Sequence, residues 1–268
     1  TRVRSSAASD VYKRQGVTIT LAAYSAEKGL TMDYITDMHT HILYGVDDGA
    51  RSLKDSIRLI MVERRQGVKR IFLTPHYGPK FGYPDRELLE TRFREIQQET
   101  KKYYPNIRLY LGSELYYQRN TIQDLKEGRA LTMAGSKYIL VEFGTGDSYS
   151  SIFKAVQDMI YAGYLPIIAH VERYEAVLNQ MERARELVKA GAYLQINAES
   201  FTGTIFNRRT AFCMKLLKAG LVCFVASDCH DLSRRCPNMR EGMEAIHKKM
   251  AGYSFEQNID KVIEGKYI

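Results

Sequence analysis

A helical stretch, a glycine and a short β-branched run recur four times along this chain. Ser52–Gln66 carries Leu53, Ile57, Ile60 and Met61 at helical spacing, and Gly67 and VKRIFLTPH follow. Ile152–Ala162 leads through Gly163 into YLPIIAH. Met181–Ala190 leads through Gly191 into AYLQINAES, and Phe212–Ala219 through Gly220 into LVCFVASDCH. Each glycine stands where a helix must end in a left-handed turn. Runs such as IIA and CFVA lack polar alternation, which suits parallel strands covered on both faces. Adding YITDMH, RLYLGSE and YILVEF gives seven strands that alternate mostly with helices, hence an α/β fold with a parallel sheet. Seven β/α units closing on themselves make a barrel like a TIM barrel short of one strand. An open doubly wound sheet is the alternative, but no G-x-G-x-x-G follows a strand to favour it.

The 268 residues are enough for one large domain with a full core, expected over residues 32–268. Thr1–Gln15 is polar, basic and without period, and the first methionine is Met32. The natural protein is therefore expected to start at or near Met32, with residues 1–31 as a leader outside the domain. VTITLAAYSA, after Lys13 and Arg14, is too short and too broken by threonine for a good signal peptide. No run of 18 apolar residues offers a membrane span. The net charge of +8, from 39 basic and 31 acidic residues, is spread without a Lys/Arg block. That argues against a nucleic-acid partner, while a mild positive field suits an anionic substrate or simply a solvated surface. Cys213, Cys223, Cys229 and Cys236 form no C-x-x-C pair, as expected of free thiols in a reducing cytoplasm. The oligomeric state stays open.

A barrel of this kind gathers its functional side chains at the carboxyl ends of its strands. Five of the six histidines fall there: His39 and His41 in DMHTH, His76 in LTPH, His170 in IIAH and His230 in SDCH. Glu114 and Glu142 end two further strands, and Asp228 precedes His230 by two residues. His247 lies in a helical stretch and reads as a surface residue. Imidazole mixed with carboxylate suits manganese, iron or zinc and argues against a thiolate site. Residues one apart on an extended chain point the same way, so His39 and His41 can grip one ion. Asp47-Asp48-Gly49 is either a source of a ligand or a surface turn. Cys229 and Arg235 offer a different chemistry, the C-x5-R spacing of thiol phosphatases. Its loop, CHDLSRRC, has no glycine, and Asp228 and Asp231 beside the thiol would raise its pKa.

The segments DMHTHILYGVDDGARS, TPHY, GSELYY, VEF, IIAHVERY and SDCHDLSRR resemble the polymerase-and-histidinol-phosphatase (PHP) superfamily. Within it they are most similar to the bacterial manganese-dependent tyrosine phosphatases of capsule and exopolysaccharide operons. The likeness runs from about Ile35 to the C-terminus. It implies a PHP-type distorted TIM-like barrel with three divalent ions, manganese foremost and iron or zinc as alternatives. The first ion would take His39, His41, Glu114 and Asp228. The second would share Glu114 and add Glu142 and His170; the third would take Asp48, rather than Asp47, with His76 and His230. Arg173 and Arg235 would grip phosphate, and a metal-activated hydroxide would attack phosphorus. The implied substrate is the tyrosine-rich tail of a membrane-associated bacterial tyrosine kinase that controls polysaccharide export. Tyr77-Gly78-Pro79, Asp231 and Cys236 depart from the family's usual residues, in loops that could shape substrate choice. Histidinol-phosphate phosphatase, another PHP phosphoesterase acting on nucleotides, and an inactive binding module are the alternatives.

Overall fold

The computed structural model describes residues 34–204 and 206–268; the expected leader at 1–31 lies outside them. The four glycines that follow the recurring helices take positive φ, from +68° at Gly220 to +106° at Gly191, because each chain must leave its helix and turn straight into a strand. Polar caps fix the other ends. Ser52 caps α1 (Leu53–Arg65) by accepting from Asp55 N at 3.2 Å, and Ser148 caps α4 (Tyr149–Tyr161) from Ser151 N. Asn207 caps α6 (Arg208–Lys218) by accepting from Arg209 N and Thr210 N, so that helix begins four residues before the apolar pattern does.

The strands form one closed ring, every pair of them parallel. β1 (Ile35–Thr40) pairs with β2 (Val68–Leu73), which pairs with β4 (Arg108–Leu111). β3 (His76–Tyr77) and β5 (Glu114–Tyr116) continue β2 and β4 past short interruptions and pair with each other. At one of these breaks Pro75 has no N–H to offer a ladder. The ring runs on through β6 (Tyr138–Glu142), β7 (Leu165–Ile168), β8 (Tyr193–Asn197) and β9 (Val222–Ala226). It closes where His41 N donates to Cys229 O at 2.8 Å and Asp228 N donates to His39 O at 2.9 Å. The seven strands foreseen are thus present, two of them broken. Helices α2 (Arg86–Tyr103), α3 (Thr121–Lys126), α5 (Met181–Lys189), α7 (Met239–His247) and α8 (Glu256–Glu264) complete the chain. Among the described residues no helix is long and apolar enough to cross a membrane.

β1 carries a bulge: Asp37 faces Ile71 but Thr40 faces Leu73, three residues against two. In a regular strand Asp37 and His39 would share a face. With the extra residue Asp37 lies beside Glu63 of α1 while His39 reaches Glu114. The opposite end of the ring is tied by Arg70 on β2. Its guanidinium donates to Thr36 Oγ1 at 2.8 Å, to Glu256 Oε2 at 2.5 Å and to Asp260 Oδ1 at 2.5 Å, docking α8 against β1 and β2. Glu256 also accepts from Thr36 N at 2.6 Å. Removing one partner of a buried charge leaves the other without compensation. Glu256→Ala should therefore lower unfolding free energy by about 3 kcal/mol in urea titrations at equal metal loading, with Asp260 limiting the loss.

Candidate metal centre

All nine side chains that the resemblance names as ligands meet at the carboxyl rim of the barrel. The innermost group is His39, His41, Glu114 and Asp228. The two Nε2 atoms are 3.2 Å apart, and each lies 3.2 Å from Glu114 Oε2. Asp228 Oδ1 is 3.5 Å from His39 Nε2 and 3.3 Å from His41 Nε2. Four donors held about 2.0–2.2 Å from a common centre in a tetrahedron sit about 3.3–3.6 Å from one another, so the observed spacing suits a single ion.

The protons on the imidazoles support the same fit. His39 Nδ1 lies 3.3 Å from Gln195 Oε1, and His41 Nδ1 lies 2.7 Å from Asp47 Oδ2. With each Nδ1 set against an oxygen acceptor, Nε2 is the atom that each ring turns toward the carboxylates. Glu114 Oε2 and Asp228 Oδ1, both buried, accept no hydrogen bond. Lone pairs so arranged repel one another unless positive charge sits among them. Five imidazoles and four carboxylates, without a thiolate, make a donor set for manganese, iron or zinc.

Glu114 faces two ways. Its Oε2 meets His39, His41 and His76, while its Oε1 lies 2.8 Å from His170 Nε2. Burial opposes charge on this carboxyl, yet His39, His76 and His170 hold its pKa well below the usual range. His76 is two-sided as well. Its Nδ1 is 3.0 Å from Glu114 Oε2 and 3.1 Å from Glu142 Oε1, and its Nε2 faces Asp48 Oδ1 at 3.6 Å. The structure thus groups His76 with Glu114 and Glu142 in addition to Asp48 and His230. His230 Nε2 is 3.2 Å from Asp48 Oδ1, and its Nδ1 donates to Asp228 O. Burial together with His41 and Arg235 pushes His230 down to about 4, which keeps the ring neutral.

Asp47 and Asp48 part company at the turn. Asp48 is half exposed and faces His76 and His230. Asp47 is buried, holds His41, and accepts from the backbone N–H groups of Gly49 and His76. Gly49 leaves room for that turn, since a Cβ there would lie 2.0 Å from His41 O. Two further positions carry strain: His170 and Asp228 are non-glycine residues at φ +32° and +56°, the left-handed region that persists only where surrounding contacts fix it. Phe81 stacks on the His76 ring at 4.0 Å.

β8 contributes no ligand but a chain of amides. Gln195 Oε1 accepts from His170 N at 2.8 Å, Gln195 Nε2 donates to Asn197 Oδ1, and Asn197 Nδ2 donates to Asp228 Oδ2 at 3.0 Å. Sequence reasoning passed over both residues, and the signal was two amides one apart inside an otherwise apolar strand. Arg235 and Arg173 reach the same oxygen of Asp228, at 2.6 and 3.4 Å, and Arg235 Nη1 lies 2.7 Å from His230 Nε2. Both guanidiniums remain partly exposed beside the ligands.

Cys229 is fully buried, and its thiol donates to Glu63 Oε1 at 3.7 Å. Burial, then Glu63 and Asp37, push its pKa well above the ordinary value. Asp231, expected to contribute, turns away to Ser233 and Arg234. A thiol that is neither accessible nor acidic makes a poor nucleophile. His247, foreseen as a surface residue, is exposed at the end of α7.

A closed parallel barrel with imidazoles and carboxylates clustered at its carboxyl rim is a barrel of the PHP and amidohydrolase kind. Residues 35–263 match the family model for capsular polysaccharide synthesis, CpsB/CapC. The tyrosine-protein phosphatase CpsB of Streptococcus agalactiae is 32% identical over 241 residues, covering 87% of this chain and 99% of that protein. One of the crystal structures of YwqE from Bacillus subtilis and CpsB from Streptococcus pneumoniae, unique metal-dependent tyrosine phosphatases, superposes with a TM-score of 0.80. That comparison has 28% identity over 87% of this chain and 96% of the other. Histidinol phosphate phosphatase of Lactococcus lactis shares the fold alone, at TM-score 0.51 and 16% identity over 87% of this chain and 94% of the other. The chain belongs to the CpsB/CapC family.

Partners that hold the far nitrogen of a ligating histidine set its tautomer and basicity. Asp47→Asn should weaken metal binding by about 10- to 100-fold, read by metal analysis after dialysis against graded free-metal buffers, with the circular dichroism unchanged. Undiminished affinity would show that Asp47 does not orient His41.

Proposed function

We propose that this chain, as a single domain of residues 32–268, removes phosphate from phosphotyrosine with divalent ions held by His39, His41, Asp48, His76, Glu114, Glu142, His170, Asp228 and His230. It is a metal-dependent tyrosine phosphatase of the CpsB/CapC family, which serves capsular polysaccharide synthesis. The observation that carries the site assignment is the meeting of four lone-pair donors at 3.2–3.5 Å, two of them buried carboxylate oxygens that accept no hydrogen bond.

Manganese is the ion we assign, in three positions, as the resemblance to the manganese-dependent tyrosine phosphatases implies; the donors would suit iron or zinc as well. Bound ions of this kind supply Lewis acidity and acidify water near neutral pH. The protein's own part is to aim and to screen. Glu114 offers one oxygen to each side of the centre, so it can bridge. Arg173 and Arg235 stand at the rim with N–H groups directed at the edge of the ligand cluster, where a phosphate seated there would meet a guanidinium fork. In the structure as it stands they neutralise Asp228 Oδ2, and a phosphate would compete for the same donors. Phenolate leaves readily, so little general acid is needed.

The substrate is a phosphoprotein, and we assign it more narrowly as the tyrosine-rich tail of a bacterial tyrosine kinase. The four cysteines are unpaired, in keeping with work in a reducing cytoplasm. Hydrolysis of a phosphotyrosyl peptide should fall to background after chelation and return on addition of Mn²⁺. Cys229→Ser should keep most of the activity, and histidinol phosphate and a nucleotide ester should be poor substrates. Activity that survives chelation and disappears in Cys229→Ser would restore the thiol mechanism and sink this one.

A further inference from the structure

Beside the ligand cluster, across the ends of β6 to β9, lies a groove of about 470 Å³. No aliphatic or aromatic side chain lines it. Its charged walls are Arg173, Arg209 and Arg235 against Glu199 and Asp228. The three arginines differ in what they already hold. Arg235 and Arg173 lie on Asp228 Oδ2. Arg209, exposed in the first turn of α6, has no carboxylate within ion-pairing distance among the described residues. The side chain of Asn207 already caps that turn, so the Arg209 guanidinium is not needed to begin the helix. Glu199 lines the same groove and does not pair with it. Asp228, the other carboxylate, is compensated by its own arginines and by the imidazoles around it. An unpaired guanidinium, with Glu199 also unpaired among the described residues, is left at the wall of a polar groove that opens from the reaction centre.

We propose that this groove holds the peptide on one side of the phosphotyrosine, and that Arg209 reads an anionic group carried by that peptide. The proposal rests on the phosphotyrosine reading above and names the kind of peptide preferred. The planar fork of an arginine matches a carboxylate or a phosphate equally well. The anion is therefore either an Asp or Glu side chain or a second phosphotyrosine. A cavity of this volume is about 10 Å across, the span of about three extended residues at about 3.3 Å each, so the anion sits two or three positions from the phosphotyrosine. Exposure of Arg209 limits the gain and makes it sensitive to salt.

The test compares kcat/KM of the manganese-loaded protein on matched phosphotyrosyl peptides whose flanks, two and three residues away on either side, are neutral, acidic, lysine-bearing or phosphorylated on a second tyrosine. Phenyl phosphate serves as a substrate with no flanking residues to reach Arg209. Acidic or phosphorylated flanks should be preferred over neutral ones by about three- to tenfold at low salt, mostly through KM. The preference should shrink toward unity in Arg209→Gln and turn toward lysine-bearing flanks in Arg209→Glu. Because the readout is a ratio between peptides, a general loss of activity in a variant does not mimic it. A carboxylate preference and a second-phosphate preference both support the groove and tell the two sources apart. Equal rates on all flanks in the unaltered protein, or a preference that persists in Arg209→Gln, would overturn the proposal while phenyl phosphate is still hydrolysed. If phenyl phosphate and every peptide resist hydrolysis, the phosphatase reading itself has failed and the groove assignment falls with it.

Discussion

Four metal-donor atoms held 3.2–3.5 Å from one another set the terms for the rest of this molecule. Nothing in an apolar barrel favours such an encounter, because buried carboxylates and imidazole nitrogens turned on each other lose water and gain no hydrogen bond. Only a rigid frame and compensating positive charge can keep it. The frame is the ring closure at Thr40 and Cys229, which lays the H-x-H of the first strand against the D-x-H after the last. The charge is what the metal of a metal-dependent phosphatase would bring to these donors. Around the centre, Asp47 and Gln195 take up the far nitrogens of His41 and His39, so the near nitrogens cannot turn away.

Asp228 joins the centre to its surroundings. One of its oxygens faces His39 and His41; the other receives Arg235, Arg173 and Asn197. The imidazole cluster and the two rim arginines therefore share a single carboxylate, held on a left-handed backbone at φ +56°. Strain of this kind costs on the order of 1–3 kcal/mol and is tolerated because hydrogen bonds on both sides of the residue fix it. His170, the other strained ligand, is held likewise, by Gln195 at its N–H and by Glu114 at its ring.

The side chains that gather at the rim could be read from the sequence. They are polar side chains ending apolar runs, at the positions where a parallel barrel opens to solvent. The seven strands could be read for the same reason. What escaped notice depended on contacts between distant segments. Which of Asp47 and Asp48 turns inward is decided by His41 and the N–H of His76, not by any local pattern. The high pKa of Cys229 comes first from burial, then from Glu63 on a helix and Asp37 on a bulged strand; of its neighbours in sequence Asp228 adds to it, whereas Asp231 turns away. Gln195 and Asn197, inside an otherwise apolar strand, drew no reading at all. Helix α6 began earlier than its apolar period because a cap, not a core contact, starts it.

The two members of the ring closure, Thr40 and Cys229, stand at opposite ends of the folded chain in sequence, and the ligands are dealt out along the whole interval between them. Contacts of such long range form late, after the nearer pairings have restricted the chain. A ribosome that has made the chain through β8 has made His39, His41, His76, Glu114, Glu142 and His170, yet has made no centre, since Asp228 and His230 are still to come. Catalytic competence is in this sense a property of the finished circle. Half a barrel would not work at half the rate, and each newly synthesised molecule stays silent until its last strand is in place.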